Sequence, residues 1–231
     1  MNPIVQAVGL SKVYGDPENS SSVVALEEAT LDLWPGEVVS VMGPSGSGKT
    51  TLLSILGCIL RPSGGELQID GNVITGLSES KLPAIRRKYI GFVFQGYNLF
   101  KALTVAENIE LALRLKEVPE SQIATEASRL MEMVGLSHRK NHVPSDLSGG
   151  EKQRVAIARA LGGNPLFVLA DEPTANLDSK NGGEILRIFE SLALDQGKAV
   201  VVVTHDPRIN KIRHRPLHIE DGRIQEVAHV A

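Results

Sequence analysis

The strongest constraint on this chain is one short run, Gly43-Pro44-Ser45-Gly46-Ser47-Gly48-Lys49-Thr50, followed at once by Thr51. It fits the pattern G-x-x-x-x-G-K-[ST], whose chemistry is to hold a polyanion with main-chain N–H groups rather than bulky side chains. Glycines let the backbone turn tightly and aim successive N–H groups at phosphate oxygens. Lys49 reaches the terminal phosphates as a mobile point charge, and the Thr50 hydroxyl offers a ligand to Mg²⁺. The flanks agree. Val38-Val39-Ser40-Val41-Met42 reads as a buried strand entering the loop, and Thr51-Leu52-Leu53-Ser54-Ile55-Leu56 as a helix leaving it, its N-terminal dipole on the phosphates. A Gly/Ser-rich connector fitting the pattern by accident is the competing reading, and the lysine, the hydroxyl and both flanking elements argue against it. The run implies a nucleotide but not what the nucleotide is used for.

Length allows one large domain or two unequal lobes in 231 residues. A formal net charge of −3 gives no electrostatic sign of a nucleic-acid partner. The single cysteine, Cys58, rules out an intrachain disulfide framework or a cysteine metal site and reads as a small core residue. The start, Met1-Asn2-Pro3-Ile4-Val5-Gln6, has no basic or apolar region of a secretory signal. The longest apolar runs, residues 166–170 and 199–203, suit buried strands and fall far short of the roughly 20 residues a membrane span needs. A protein soluble by itself is expected, with docking onto a membrane protein left open.

Along the chain, residues 4–13 and 22–34 partly alternate apolar and polar side chains, as in a half-buried antiparallel sheet, with a polar loop at 15–21 between them. Residues 67–74 read as a hairpin around Asp70-Gly71. A short basic helix is predicted over 81–88 and a strand over 90–95. Thr104-Val105-Ala106-Glu107 is a capping-box pattern opening a helix to about Lys116, and 121–134 is a second helix ended by Gly135. From Glu151 helix and buried strand alternate: helix 151–161, strand 166–170, helix 179–195, strand 199–204, then a terminal hairpin over 219–227. Such alternation predicts a parallel sheet with helices on both faces. The fold class is α/β, with an antiparallel β part and a helical lobe inserted over 96–148 between core segments 1–95 and 149–231. Gly182-Gly183 falls inside a predicted helix, at about 1 kcal/mol per glycine relative to alanine, with no functional reason visible.

Phosphoryl transfer to water needs a metal anchor, a water-orienting base and a group that senses the terminal phosphate. The apolar run Leu166-Phe167-Val168-Leu169-Ala170 ends in Asp171-Glu172, placing two carboxylates at the C-terminal edge of a strand beside the phosphate loop. Asp171 is the candidate Mg²⁺ anchor and Glu172 the candidate general base; a strand-terminal acidic pair that only caps a turn is the alternative. His205 follows another strand at the same edge, unlike His138, His142, His214, His218 and His229. Gln95, at the end of strand 90–95, could ligate the metal or bind the water. Ser148-Gly149-Gly150 opens a helix as a second anion cradle. One triphosphate does not need two cradles in one chain, so the second makes sense if it closes on the nucleotide of another subunit.

With these residues in hand, the chain resembles the ATP-binding subunit of an ABC transporter over essentially its whole length. Residues 43–50 match that family's phosphate loop, Leu147-Ser148-Gly149-Gly150-Glu151 its signature, and 166–172 its metal-binding strand with the catalytic glutamate. Gln95 matches the lid glutamine, Ala175-Asn176-Leu177-Asp178 the dimer-contacting loop, and His205 the switch histidine. Tyr14 falls where members stack an aromatic ring on adenine. Glu151 departs from the more frequent glutamine and Asn176 from a small residue. The resemblance implies a P-loop fold, ATP and Mg²⁺ as ligands, and two cassettes, two copies of this chain among the options, closing head-to-tail on two ATP. It also implies a permease whose conformation the closure drives. Tyr97-Asn98-Leu99-Phe100 is the candidate permease contact, with Leu99 and Phe100 as plain core residues the alternative.

Within the family, Gly91-Phe92-Val93-Phe94-Gln95 and Asp171-Glu172-Pro173-Thr174-Ala175-Asn176-Leu177-Asp178 look like the lipoprotein-release and macrolide-export type, and like heterocyst glycolipid exporters. That type often works with a periplasmic adaptor, and its cassette sits on the cytoplasmic face of the inner membrane. A competing implication is a cell-division-like regulatory cassette that signals across the membrane and moves no cargo.

Overall fold

The structure, a computed structural model, describes residues 2–15 and 22–226. Most of the loop expected at 15–21, Val227 of the last expected strand, and His229 lie outside the described residues.

The chain opens with two long strands, β1 (Val5–Tyr14) and β2 (Val23–Leu33), paired antiparallel. The short strand β3 (Val38–Met42) then runs into the glycine-rich loop and helix α1 (Lys49–Leu56). Strands β4 (Gly64–Ile69) and β5 (Asn72–Val73) follow, joined by Asp70-Gly71. Both turn residues have positive φ, 51° and 71°, as a tight two-residue hairpin turn requires. Helix α2 (Leu82–Tyr89) leads into β6 (Ile90–Val93).

Three helices come next: α3 (Val105–Leu115), α4 (Glu120–Met133) and α5 (Gly149–Leu161). Helix α3 starts where expected because Thr104 and Glu107 form the reciprocal capping box. Then β7 (Phe167–Asp171), α6 (Ser179–Leu194), β8 (Ala199–Val203), β9 (Arg215–Glu220) and β10 (Arg223–Glu226) complete the described fold.

The strands form two sheets, a four-stranded antiparallel one in the order β2-β1-β4-β5 and a six-stranded one in the order β10-β9-β3-β8-β7-β6. In the larger sheet β9, β3, β8, β7 and β6 are all parallel, and only β10 reverses. Strands β3, β7 and β8 are buried almost throughout, which is why they read as continuous apolar runs rather than alternating ones. One face of this sheet packs against a core containing Ile157, Ile185 and Phe189 of α5 and α6, continuous with Ile109 and Leu130 of α3 and α4. The other face packs with Leu52 and Ile55 of α1 against Leu10, Leu26 and Leu67 of the antiparallel sheet.

Several sequence expectations need correction. The second face is shared between α1, α2 and the antiparallel sheet rather than covered by helices alone. Strand β6 stops at Val93, so Gln95 stands in a turn two residues beyond it and not at the strand end. Helix α5 begins at Gly149 rather than at Glu151, because Ser148 is its N-cap. The terminal hairpin begins four residues earlier than expected, since β9 is long enough to add in parallel to β3.

Candidate functional site

The C-terminal ends of β3, β7 and β8 converge on a cleft of about 660 Å³, as ligand sites in parallel sheets do. Gly43, Pro44, Ser45, Gly46, Gly48, Lys49, Thr50 and Thr51 form one wall, and Gln95, Asp171, Glu172 and His205 reach it from the other elements. Ser47 is buried beneath the loop, where its carbonyl accepts a hydrogen bond from the N–H of Gly222 at 3.0 Å.

The loop's glycines are dictated by space as much as by conformation. Gly43 (φ 154°) lies so close to β9 that a Cβ would fall 2.0 Å from the Ile219 carbonyl oxygen. At Gly48 (φ 105°) a Cβ would fall 2.3 Å from the Ala25 carbonyl oxygen of β2. Gly48 is also the N-cap residue of α1, so the helix starts at the loop's end with its free N–H groups turned toward the cleft. The Lys49 ammonium spans the loop, donating to the carbonyls of Gly43 at 2.8 Å and Pro44 at 2.6 Å. That leaves one of its three donors for a phosphate.

Asp171 ends β7 half-buried. Burial, and after it the negative charge of Glu172, push its carboxyl above the ordinary range, while Lys49 pulls the other way. A cation brought to this carboxylate is therefore favoured. Thr50 adds a hydroxyl, Asp171 a carboxylate and Gln95 an amide oxygen, a hard-oxygen set of the kind Mg²⁺ takes when phosphates supply its other ligands.

Glu172 sits one residue on, with φ 45°, a left-handed conformation that costs a non-glycine residue about 1–2 kcal/mol. Its N–H donates to the Val203 carbonyl at 2.8 Å, which anchors the strained turn to β8. Oε1 lies 2.8 Å from Nδ1 of His205, and Oε2 is buried with no hydrogen-bond partner. The carboxylate is thus held at one oxygen and left with an unused acceptor at the other. His205 itself is 75% exposed.

Ser148, Gly149 and Gly150 do not line this cleft. Ser148 is exposed at the start of α5, its Oγ accepting from the N–H of Glu151 at 3.3 Å while Glu151 Oε2 accepts from the N–H of Ser148 at 2.8 Å. Glu151 Oε1 also accepts from Nε of Arg139 at 2.8 Å. Its hydrogen bond from the Ser148 backbone, with further help from the Ser148 hydroxyl and Arg139, overrides burial and lowers its pKa to about 2. The departure from glutamine is therefore accommodated by a capping box and an ion pair. Space is tight here too, since a Cβ on Gly150 would fall 2.4 Å from Oδ1 of Asn181 in α6.

Tyr14 ends β1, 43% exposed, and is likewise outside the cleft lining. Lys12 Nζ lies 5.4 Å from its ring centroid. Sequence reading missed Ala25 and Val203 as cleft walls, because neither carries a chemical signal; both contribute backbone and shape. Of the candidate permease contact, Leu99 packs into the core while Phe100 is 50% exposed. Phe100 lines an open groove of about 390 Å³ with Phe92, Phe94 and Leu115, rimmed by Arg86 and Arg87. No helix among the described residues is long and apolar enough to cross a membrane.

Comparison with known proteins shows the family. A family model described as "ABC transporter" matches residues 26–175. An uncharacterized ABC transporter ATP-binding protein of Thermotoga maritima is 44% identical over 98% of this chain and 96% of its own length. The lipoprotein-releasing system ATP-binding protein LolD of Bacteroides fragilis is 41% identical over 96% of this chain and 100% of its own. The macrolide export ATP-binding/permease protein MacB of Marinobacter nauticus is 40% identical over 97% of this chain, which spans 34% of that longer protein. A dimeric ATP-binding cassette of Methanocaldococcus jannaschii, solved in a post-hydrolysis state bound to ADP and Pi, matches with a TM-score of 0.86. It is 41% identical, over 97% of this chain and 99% of that one.

Proposed function

This chain belongs to the ABC transporter family as an ATP-hydrolysing cassette, and from that premise we propose that it powers export, or extraction from a membrane, through a separate permease. The observation that carries the proposal is the separation of the two anion cradles. The loop at 43–50 shares its cleft with Asp171, Glu172 and His205, whereas the Ser148 turn opens to solvent elsewhere on the surface. A second cassette, most simply a second copy of this chain, brings its own Ser148, Gly149 and Gly150 onto the terminal phosphate of the bound ATP.

In this reading the loop's N–H groups and Lys49 bind the phosphates, and Tyr14 stacks on the base. Mg²⁺, held by Thr50, Gln95 and Asp171, supplies positive charge to the phosphate oxygens. Glu172 accepts the proton of the attacking water, and His205 orients the glutamate through Oε1. The segments 1–95 and 149–231 act as the catalytic core and 96–148 as the coupling lobe. Exposed Phe100, in a groove walled by the stacked pair Phe92 and Phe94 (4.3 Å between centroids), is the contact offered to the permease.

LolD and MacB, by name, belong to lipoprotein release and macrolide export. On that likeness the cargo of this complex is a lipid-linked or amphipathic molecule. The cassette then lies on the cytoplasmic face of the inner membrane and a periplasmic adaptor completes the complex. Affinity purification from native membranes should recover a permease with this chain. Reconstitution of that pair in vesicles should then show ATP-dependent movement of cargo. ATP hydrolysis stimulated by the permease without any movement would favour a regulatory output instead.

A further inference from the structure

Gly182 and Gly183 stand side by side near the start of α6, where glycine disfavours helix, and the structure separates them sharply. Around Gly183 an added Cβ meets nothing within 4 Å. At Gly182 it would fall 2.2 Å from Nη1, 2.5 Å from Cζ and 2.8 Å from Nη2 of Arg208. The helix surface is left bare there for a guanidinium.

That guanidinium is held at all three of its nitrogens. Nε donates to Asp206 Oδ2 at 2.7 Å and Oδ1 at 2.9 Å. Nη1 donates to the Asp178 carbonyl at 2.7 Å, and Nη2 reaches the carbonyls of Thr174 at 3.3 Å and Leu177 at 3.4 Å. Asp206 is buried and also accepts from Oγ1 of buried Thr174 at 2.5 Å. One planar fork therefore holds three main-chain carbonyls of the segment 174–178, and its own Asp206 partner is the residue next to His205. Ala175 and Asn176, between the held carbonyls, are exposed.

We propose that Arg208 is a positioning residue that locks the exposed loop at 175–178 to the His205 turn, so that the surface offered to a second cassette and the histidine of the same site move as one piece. This inference rests on the sandwich reading above. It gives Gly182 its reason: the glycine is the seat of the fork. A lysine keeps the charge but lacks the fork and cannot hold the carbonyls together.

The test uses the full chain carrying Glu172→Gln, in which ATP-dependent dimerisation is followed by sedimentation and ATP affinity is measured on the dilute monomer. Gly182→Ala and Gly183→Ala make the same helix-favouring change, but only the first disturbs Arg208. Gly183→Ala is expected to dimerise like the parent, while Gly182→Ala and Arg208→Lys bind ATP as the parent does and dimerise about tenfold more weakly. A merely structural role would shift melting temperature and leave the dimer constant alone. If Gly182→Ala does not fold, Arg208→Lys decides. A folded Gly182→Ala or Arg208→Lys that dimerises at the parent's strength, or that loses ATP affinity in the monomer, overturns the inference. If the parent itself does not dimerise with ATP, the sandwich reading fails and takes this inference with it.

Discussion

Nδ1 of His205 lies 2.8 Å from Oε1 of Glu172, although 33 residues separate them in sequence. The contact exists because β7 and β8 are adjacent and parallel, so that their C-terminal ends deliver both side chains to one edge. It fixes one glutamate oxygen and leaves the other, buried Oε2, without a partner. Replacing Glu172 by Gln keeps the shape and removes the proposed base. ATP binding should persist, and hydrolysis should fall by about 10²–10⁴-fold, as expected for loss of a general base. Phosphate release under single-turnover conditions checks this, and turnover at the native rate would remove Glu172 from that role.

Ser148→Arg places a long cation on an exposed turn that is outside the lining of the chain's own cleft. Nucleotide affinity measured on the monomer should be unchanged, while ATP-dependent association and hydrolysis are lost. Normal association would mean that the second cradle does not face the nucleotide.

Glu151 links stability to acid. Its pKa, lowered from 4.5 to about 2 in the folded chain, means that the unfolded state takes up its proton first as pH falls. Its contribution is therefore complete above about pH 4.5 and is lost progressively toward pH 2. Glu151→Gln keeps a side chain that can close the capping box but loses the charge paired with Arg139. It should lower stability at neutral pH by about 1 kcal/mol, the upper end for a partly exposed ion pair. It should also flatten the fall in stability below pH 4.5. Urea unfolding of both proteins across that range measures the two effects together.

Phe100 is half exposed in its groove and touches none of the nucleotide cleft. Phe100→Ala should leave ATP hydrolysis of the isolated chain within about twofold, as for a surface change away from the site. Stimulation by a co-purified permease should drop by about tenfold, the scale of losing an aromatic anchor. Equal stimulation in both proteins would place the docking contact elsewhere.

The parts of this molecule that were legible in sequence are those with a local physical cause. Thr104 and Glu107 announced a helix start because a capping box is a four-residue interaction. Asp70-Gly71 announced a hairpin because both positions need positive φ. The run 38–42 announced a buried strand because both of its faces are covered. What sequence could not deliver was decided across space. Gln95 was placed at a strand end, yet β6 stops at Val93, and nothing local marks that stop. The antiparallel sheet covers one face of the larger sheet, and alternation along β1 says that one side is buried without saying against what. Gly182 looked like a helix defect until Arg208, 26 residues later, came to rest on it. Glu172 and His205 were each recognisable, but their contact depends on strand order, which spacing does not encode.

The central claim is that the loop at 43–50 is half of a site, completed by the Ser148 turn of another cassette. The most direct measurement is the structure of the Glu172→Gln chain with ATP and Mg²⁺. The account predicts a head-to-tail dimer holding two ATP, with Ser148 Oγ of each protomer in hydrogen-bond contact with the terminal phosphate bound by the other. A terminal phosphate contacted only by residues of its own chain, with Ser148 facing solvent, would contradict it.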